Sequence, residues 1–296
     1  MKTSRIVLYA LIAIILWSTA GTAFKLALKD LDFTELLFIS SNVAWITLAL
    51  ISFIKGKKVS FKTNHILKSA LSGFLNPFLY YLILLKAYSL LPAQIAQPLN
   101  YTWPIMLIIL SAIFLKHKML WFDVIAIILS FSGVVVISMM GNSSFNFDEN
   151  HLLGIVLASG SSIIWASYWI INVKDNRNEL EKILLNFAFG ALFISVWIIF
   201  DGGIPKISKG WLPAVYVGIT EMAIAFVFWL TAMKWSNNNS RIGNLVFLSP
   251  FLALIFIHLI LQEDIFISTF IGLILIVTGI LFQNVMANNE KKRTHK

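Results

Sequence analysis

Apolar residues run along this chain in long blocks, and a helix needs about 20 of them to cross ~30 Å of hydrocarbon. Ten blocks reach or approach that length, at residues 6–28, 34–54, 66–90, 93–115, 121–140, 151–172, 182–200, 211–234, 241–261 and 266–286. Charged residues collect in the short stretches between them. Two blocks nearly touch at Ser89-Leu90-Leu91-Pro92, where Pro92 separates them, because proline suits the first turn of a new helix better than the interior of an old one. The first block follows Met1-Lys2-Thr3-Ser4-Arg5 and outruns the ~7–15 apolar residues of a secretory leader. It reads as a retained span. The pattern predicts an all-α integral membrane protein of ten transmembrane helices.

Composition makes lipid the solvent. The chain is 58% hydrophobic and 12% charged, with a mean hydropathy of +0.83. A soluble domain carries roughly 25% charged residues to wet its surface. The net charge of +9 would suit a nucleic-acid partner, but the basic residues sit in loops between apolar runs, so the partner implied is the bilayer and no nucleic acid. With no cysteine in the chain, disulfides, thiolate chemistry and Cys-ligated metals are excluded.

The basic residues also set orientation. With the N-terminus in the cytoplasm, the inside set is Lys2, Arg5, Lys55, Lys57, Lys58, Lys62, Lys68, Lys116, Lys118, Lys174, Arg177, Lys182, Lys234, Arg241, Lys291, Lys292, Arg293 and Lys296. The outside set is Lys29, Lys86, Lys206 and Lys209, a bias of eighteen to four. Both termini are therefore expected in the cytoplasm, on a multi-pass protein of the cell (inner or plasma) membrane.

The two halves resemble each other. Gly73 and Ala87 match Gly218 and Ala232 at an offset of 145, while Thr102-Trp103-Pro104 lies opposite Leu248-Ser249-Pro250 and Ser132-Gly133 opposite Thr278-Gly279 at 146. Five spans per repeat is an odd number, so the second copy must enter the membrane upside down. The expected architecture is two inverted five-helix repeats, residues 1–142 and 143–296. That plan belongs to many secondary transporters, with the substrate site near the midplane between the repeats.

Leu16-Trp17-Ser18, Tyr80-Tyr81 with Lys86-Ala87, and the stretch from Ala93 through Pro104 to Lys116 resemble the drug/metabolite transporter superfamily, and within it the EamA-type proteins. The matching stretch through Pro250 to Glu263-Asp264 carries the same likeness, which covers nearly the whole chain. In that family a Gly-Glu pair often ends the helix after each proline; here the second half has Gln262-Glu263, and the first has Lys116-His117 with no acid. The resemblance implies ten helices around a central cavity and alternating access driven by ion coupling, exchange or the substrate gradient. Similar proteins carry amino acids, drugs, nucleotide sugars or other metabolites, and export of an amino acid or another amphipathic metabolite is the function expected here.

Polar groups inside the spans are the candidate site, because a charge in hydrocarbon is costly and needs a reason. Glu221 in span 8 has no Lys or Arg within one helical turn; it is a candidate proton carrier or counter-charge for a cationic substrate, against a plain interhelical hydrogen bond. Lys25 shares a face with Trp17 and Gly21 at i, i+4, i+8, and is expected to snorkel, to pair with Glu221 or to hold a substrate carboxylate. In span 4, Gln94, Gln97 and Tyr101 follow i, i+3, i+7 and are expected to line a cavity, since lipid satisfies no amide. Asn76, next to Pro77, and Tyr80 belong to a bent span 3. Trp165 and Tyr168 share a face of span 6, where Trp165 is the repeat counterpart of Trp17. Spans 5 and 10, read as free of buried charge, are expected at the periphery.

No Gly-rich phosphate loop, paired catalytic carboxylates or metal-spaced histidines appear, which argues against an enzyme. A membrane-embedded enzyme acting on a lipid-linked substrate is the alternative. No cofactor or metal is implied beyond coupling to protons or another ion. The chain is compatible with a monomer or a homodimer.

Overall fold

The structure, a computed structural model, describes residues 3–56, 62–114, 119–139, 148–173, 175–202, 204–235 and 245–294. Lys2, Lys57, Lys58, Lys116, Lys118, Lys174, Arg241 and Lys296 of the charge pattern lie outside them. The apolar blocks form helices α1 (Arg5–Ala27), α2 (Phe33–Ile54), α3 (Thr63–Leu90), α4 (Ala93–Phe114), α5 (Trp121–Ser138), α6 (Glu149–Asn172), α7 (Glu179–Asp201), α8 (Trp211–Trp235), α9 (Leu245–Leu261) and α10 (Ile267–Glu290). All but the shorter α9 are long and apolar enough to cross a membrane. No strand occurs among the described residues.

Helix starts are set by polar residues that satisfy the free N–H groups of the first turn. The Asp32 N–H donates to Glu35 at 2.8 Å at the head of α2, the Leu120 N–H donates to Asp123 at 2.8 Å at the head of α5, and Asn178 accepts from Leu180 N–H at the head of α7. Between these ends the polarity is that of a protein in lipid. Leu50, Phe131, Phe200 and Ile271 face outward, while Ser18, Ser40, Asn76, Gln97 and Asn186 are buried between helices. A lipid-facing amide would have no partner.

Helix α2 packs along α7, α5 along α10, α3 along α6 and α1 along α8; α4 also meets α6, and α1 meets α9. The α5–α10 crossing is close because glycines meet there. A Cβ on Gly133 would stand 2.5 Å from the Gly272 carbonyl oxygen, and one on Gly272 the same distance from the Gly133 oxygen. Small residues of this kind let helix backbones approach in lipid. The opposite faces of α5 and α10 are exposed at Val124, Ile128, Phe270 and Ile274. One expectation needs correction: α5 does carry a buried acid. Asp123 accepts a 2.8 Å bond from Gln283 of α10 besides capping its own helix, which is how the pair satisfies both groups away from water.

Among the described residues, three helices are interrupted, and a fourth, α9, is irregular at its two ends. In α3 the chain leaves helical geometry at Asn76 (φ −147°, ψ 121°), inside a widened turn at Phe74–Leu79. In α8 a widened turn spans Thr220–Ile224. Helix α4 runs as Ala93–Asn100 and Trp103–Phe114 with a break between them. Pro104 has no N–H to give back to Asn100, and the Thr102 hydroxyl bonds the Leu99 carbonyl at 2.8 Å instead. Helix α9 opens on a tighter turn at Leu245–Leu248 just before Pro250 and ends in a widened turn at Ile257–Leu261. These interruptions free backbone groups, which only the protein interior can satisfy at membrane depth.

Candidate functional site

The interrupted helices and α9 surround a pocket of about 80 Å3, bordered also by α1 and α6. Its wall is mostly aromatic. Ring contacts run from Trp229 to Trp17 (5.4 Å between centroids), Trp17 to Phe226 (5.8 Å), Phe226 to Trp165 (5.8 Å), Trp165 to Tyr80 (4.7 Å) and Tyr80 to Tyr81 (4.8 Å). At the end of this series the Tyr81 hydroxyl donates to Glu221 Oε1 at 3.0 Å. The other carboxylate oxygen, Oε2, is buried with no partner among the described residues.

The remaining polar groups are joined across helices. Tyr80 donates to Asn100 Oδ1 at 3.0 Å, and Asn100 Nδ2 donates to Ser161 at 2.8 Å, linking α3, α4 and α6. Tyr88 donates to Gln97 Oε1 at 3.1 Å. Gly21 allows this, because a Cβ there would collide with both the Gln97 and Tyr88 side chains.

The two ends of the bundle differ. Toward the Lys182 end lies a cavity of about 760 Å3 lined by Tyr168, Asn172, Arg177, Lys182 and Lys234, and Trp169 lines both it and the aromatic pocket. Burial pushes the Asp175 acid there upward, but the hydrogen bonds and charge of Arg177, with Lys182 beyond, outweigh it and hold the group below its ordinary value. At the Lys25 end, hydrogen bonds tie the helices to one another beside a cavity of about 330 Å3 lined by Lys25, Leu28, Lys29, Ser89, Leu261 and Glu263. Lys25 Nζ donates to the Tyr88 and Leu91 carbonyls at 3.0 and 3.1 Å, satisfying the last turn of α3. Glu263 accepts from the Ala93 and Gln94 N–H groups at 3.1 and 3.2 Å, where the first turn of α4 presents free donors and a positive dipole end. Gln94 adds bonds of 2.8 Å to the Asp264 carbonyl and from the Phe266 N–H.

Of the residues singled out by sequence, Trp17, Tyr80, Gln97, Tyr101, Trp165 and Glu221 meet at the aromatic pocket. Lys25 does not: it engages backbone carbonyls, and its pairing with Glu221 does not occur. Gln94 shares a face with Gln97 but lies a turn further out, at the tie to α10, so depth and not face removes it. Tyr168 lines the larger cavity and donates no ring to the pocket wall. Asn76 is fully buried at the α3 break. Trp17 and Trp165 meet through Phe226. Phe24, Tyr88 and Trp229 line the pocket without having been marked. Phe24 stands seven residues after Trp17, and Tyr88 seven after Tyr81, so a helical-face reading had the means to find both.

An all-helical bundle with an apolar exterior and a pocket buried between interrupted helices is the form of a multi-pass membrane transporter. The chain belongs to the EamA-like transporter family, whose sequence profile matches residues 4–139 and again 152–285. It is 24% identical to the uncharacterized transporter YvbV of Bacillus subtilis (strain 168), over 74% of this chain and 72% of that one. It is 25% identical to the aromatic amino acid exporter YddG of Ancylobacter novellus, over 86% of this chain and 88% of that one. A solved crystal structure superposes with a TM-score of 0.71 at 21% identity, covering 97% of this chain and 98% of its own, which is a likeness of fold. The family and these relatives are transporters and not enzymes.

Proposed function

We propose that the protein is a secondary transporter of the cell membrane, built as inverted repeats 1–142 and 143–296, that exports a small amphipathic metabolite by alternating access. The observation that carries this reading is the register of the interruptions. Asn76 in α3 and Glu221 in α8 are 145 positions apart, and Pro104 in α4 and Pro250 in α9 are 146 apart, the same offsets that relate the two halves. All four helices border the pocket. Paired interrupted spans at corresponding places mark the binding site of inverted-repeat transporters. The helix pairings support the same plan, since exchanging halves turns the α1–α8 contact into α6–α3 and the α1–α9 contact into α6–α4. The double match of the family profile supports it too.

With both termini in the cytoplasm, the large cavity opens inward and the Lys25 end is the tied outer side. The pocket wall suits a substrate with a flat apolar body, in keeping with the aromatic amino acids in the name of the Ancylobacter relative. Comparing small molecules inside and outside cells with and without the protein tests the reading. The expected result is a compound enriched outside only when the protein is present. Enrichment inside would reverse the direction, and no change across the whole metabolite set would remove export.

A further inference from the structure

Helix α8 changes neighbours along its length. Its first half packs on both α1 and α2, so closely that a Cβ on Gly218 would stand 2.6 Å from the Ser40 carbonyl oxygen. Past the widened turn at Thr220–Ile224, the second half stays on α1 and turns away from α2. Beyond the Phe187–Phe226 ring contact (6.0 Å) this leaves a crevice between α8, the start of α7 and the end of α2. It holds a cavity of about 210 Å3, with Ile183, Val227 and Leu230 on its walls and the exposed Lys55, Lys234 and Trp235 at its mouth. Ile183, Leu230 and Lys234 also line the 760 Å3 cavity, so the two spaces adjoin across them. Charge in the crevice is unbalanced. Glu179 borders it, but is paired at 2.9 Å with Lys182, which is 3% exposed. Lys55, at the C-terminal end of α2, and Lys234, in the last turn of α8, form no ion pair among the described residues. A lysine at a helix C-terminus needs no ligand to be favourable there. Two of them flanking one apolar-walled cavity is the arrangement that calls for an occupant.

We propose that this crevice binds an anionic phospholipid, with the phosphate between Lys55 and Lys234 and an acyl chain along Val227 and Leu230. Basic pockets between spans on the cytoplasmic side suit anionic headgroups. Trp235, 53% exposed, stands at the mouth, where an amphipathic ring matches the level of the headgroups. The Thr231 hydroxyl is spent on the Val227 carbonyl at 2.6 Å, which leaves the two ammonium groups as the free donors at the mouth. A zwitterionic lipid would bring its own cation beside both lysines, so the selection is by charge. The leaflet is the one at the Lys182 end, cytoplasmic in the orientation proposed above. The site itself rests on the chain's place in a membrane and not on the direction or cargo of transport.

Native mass spectrometry of the purified protein in detergent, titrated with dioleoyl phosphatidylglycerol or dioleoyl phosphatidylcholine, reads the first lipid bound. Each lysine near the phosphate is expected to contribute about fivefold, so phosphatidylglycerol should bind about 30-fold tighter than phosphatidylcholine. Lys55→Gln with Lys234→Gln should abolish that preference, and Lys55→Arg with Lys234→Arg should keep it. Lys206→Gln with Lys209→Gln, at two exposed lysines of the opposite end, should leave it unchanged. Equal binding of the two lipids by the native protein overturns the inference, as does an unchanged preference in a monodisperse Lys55→Gln, Lys234→Gln protein. Equal loss in the Lys206→Gln, Lys209→Gln protein overturns it too, because the preference would then belong to surface charge in general. Inorganic phosphate that displaces the lipid at equal concentration would make this a bare anion site and overturns the lipid. Detergent has no sides, so these outcomes do not depend on orientation. Export is read by the metabolite comparison above, so the failure of either idea leaves the other standing.

Discussion

Glu263→Ala should loosen the tied end of the bundle by an amount the geometry sets. The carboxylate accepts from two N–H groups of α4, at 3.1 and 3.2 Å, and places its charge at the helix start. Losing an N-cap acceptor costs about 0.5–2 kcal/mol and losing a charge at the dipole end about 0.3–1 kcal/mol. The bonds are long and Glu263 is only partly buried, so a total of about 1–2 kcal/mol is the reasonable sum. The Gln94 bonds to Asp264 and Phe266 remain, so the end opens without coming apart. A shift of that size raises the open fraction about 5- to 30-fold. The chain has no cysteine, so Leu91→Cys, at a side chain 1% exposed beside Lys25, gives a single reporter. In nanodiscs, its maleimide labelling should be about 5- to 30-fold faster in the Glu263→Ala background. An unchanged rate would refute the idea that this cap holds the end together.

Three further outcomes follow from local geometry. Gln262 ends α9 with φ 57° and ψ 31°, a left-handed position that glycine occupies without a Cβ penalty, so Gln262→Gly should stabilise the protein by up to about 1 kcal/mol. A longer thermal-inactivation half-life checks it, and a shorter one contradicts it. Asp175 is held below its ordinary value, so its contribution is complete above the unfolded value near ~3.9 and is lost as pH falls through the lower folded value. Unfolding of the native protein should accelerate below about pH 4, and Asp175→Asn should remove that part of the acid dependence. Gly272→Leu drives a side chain into the Gly133 carbonyl and Ile137, and should cut folded yield by overpacking worth about 1–3 kcal/mol or more; size-exclusion profiles read the result.

Much of the fold was legible because lipid imposes a simple rule: every span is a long apolar run. The helix bounds follow those runs, and Pro92 marks the α3–α4 boundary as its chemistry predicts. What hydropathy hides is where a helix breaks. The interruption of α4 at Tyr101–Thr102 depends on Pro104, Pro98 and a Thr102 back-bond acting together, and the apolar run passes straight through it. The pocket was legible where a bulky or charged residue had no cheap excuse, as at Trp17, Trp165 and Glu221. It was not legible where membership depends on depth along the helix. Gln94 and Lys25 lie on the expected faces but at the end of the bundle, where free backbone groups compete for their side chains. The buried Asp123 escaped for a related reason, since its partner Gln283 stands 160 residues away.

Alternating access requires that one pocket be reached from the two sides of the membrane in turn. Ala20 lines that pocket and is 5% exposed, and Ala20→Cys places one thiol there in a cysteine-free chain. Labelling with an impermeant maleimide is measured in intact cells and in inside-out vesicles. Alternating access predicts labelling from both sides, with a transported compound shifting the two rates in opposite directions. Labelling from one side alone, unaffected by any compound, would contradict the account.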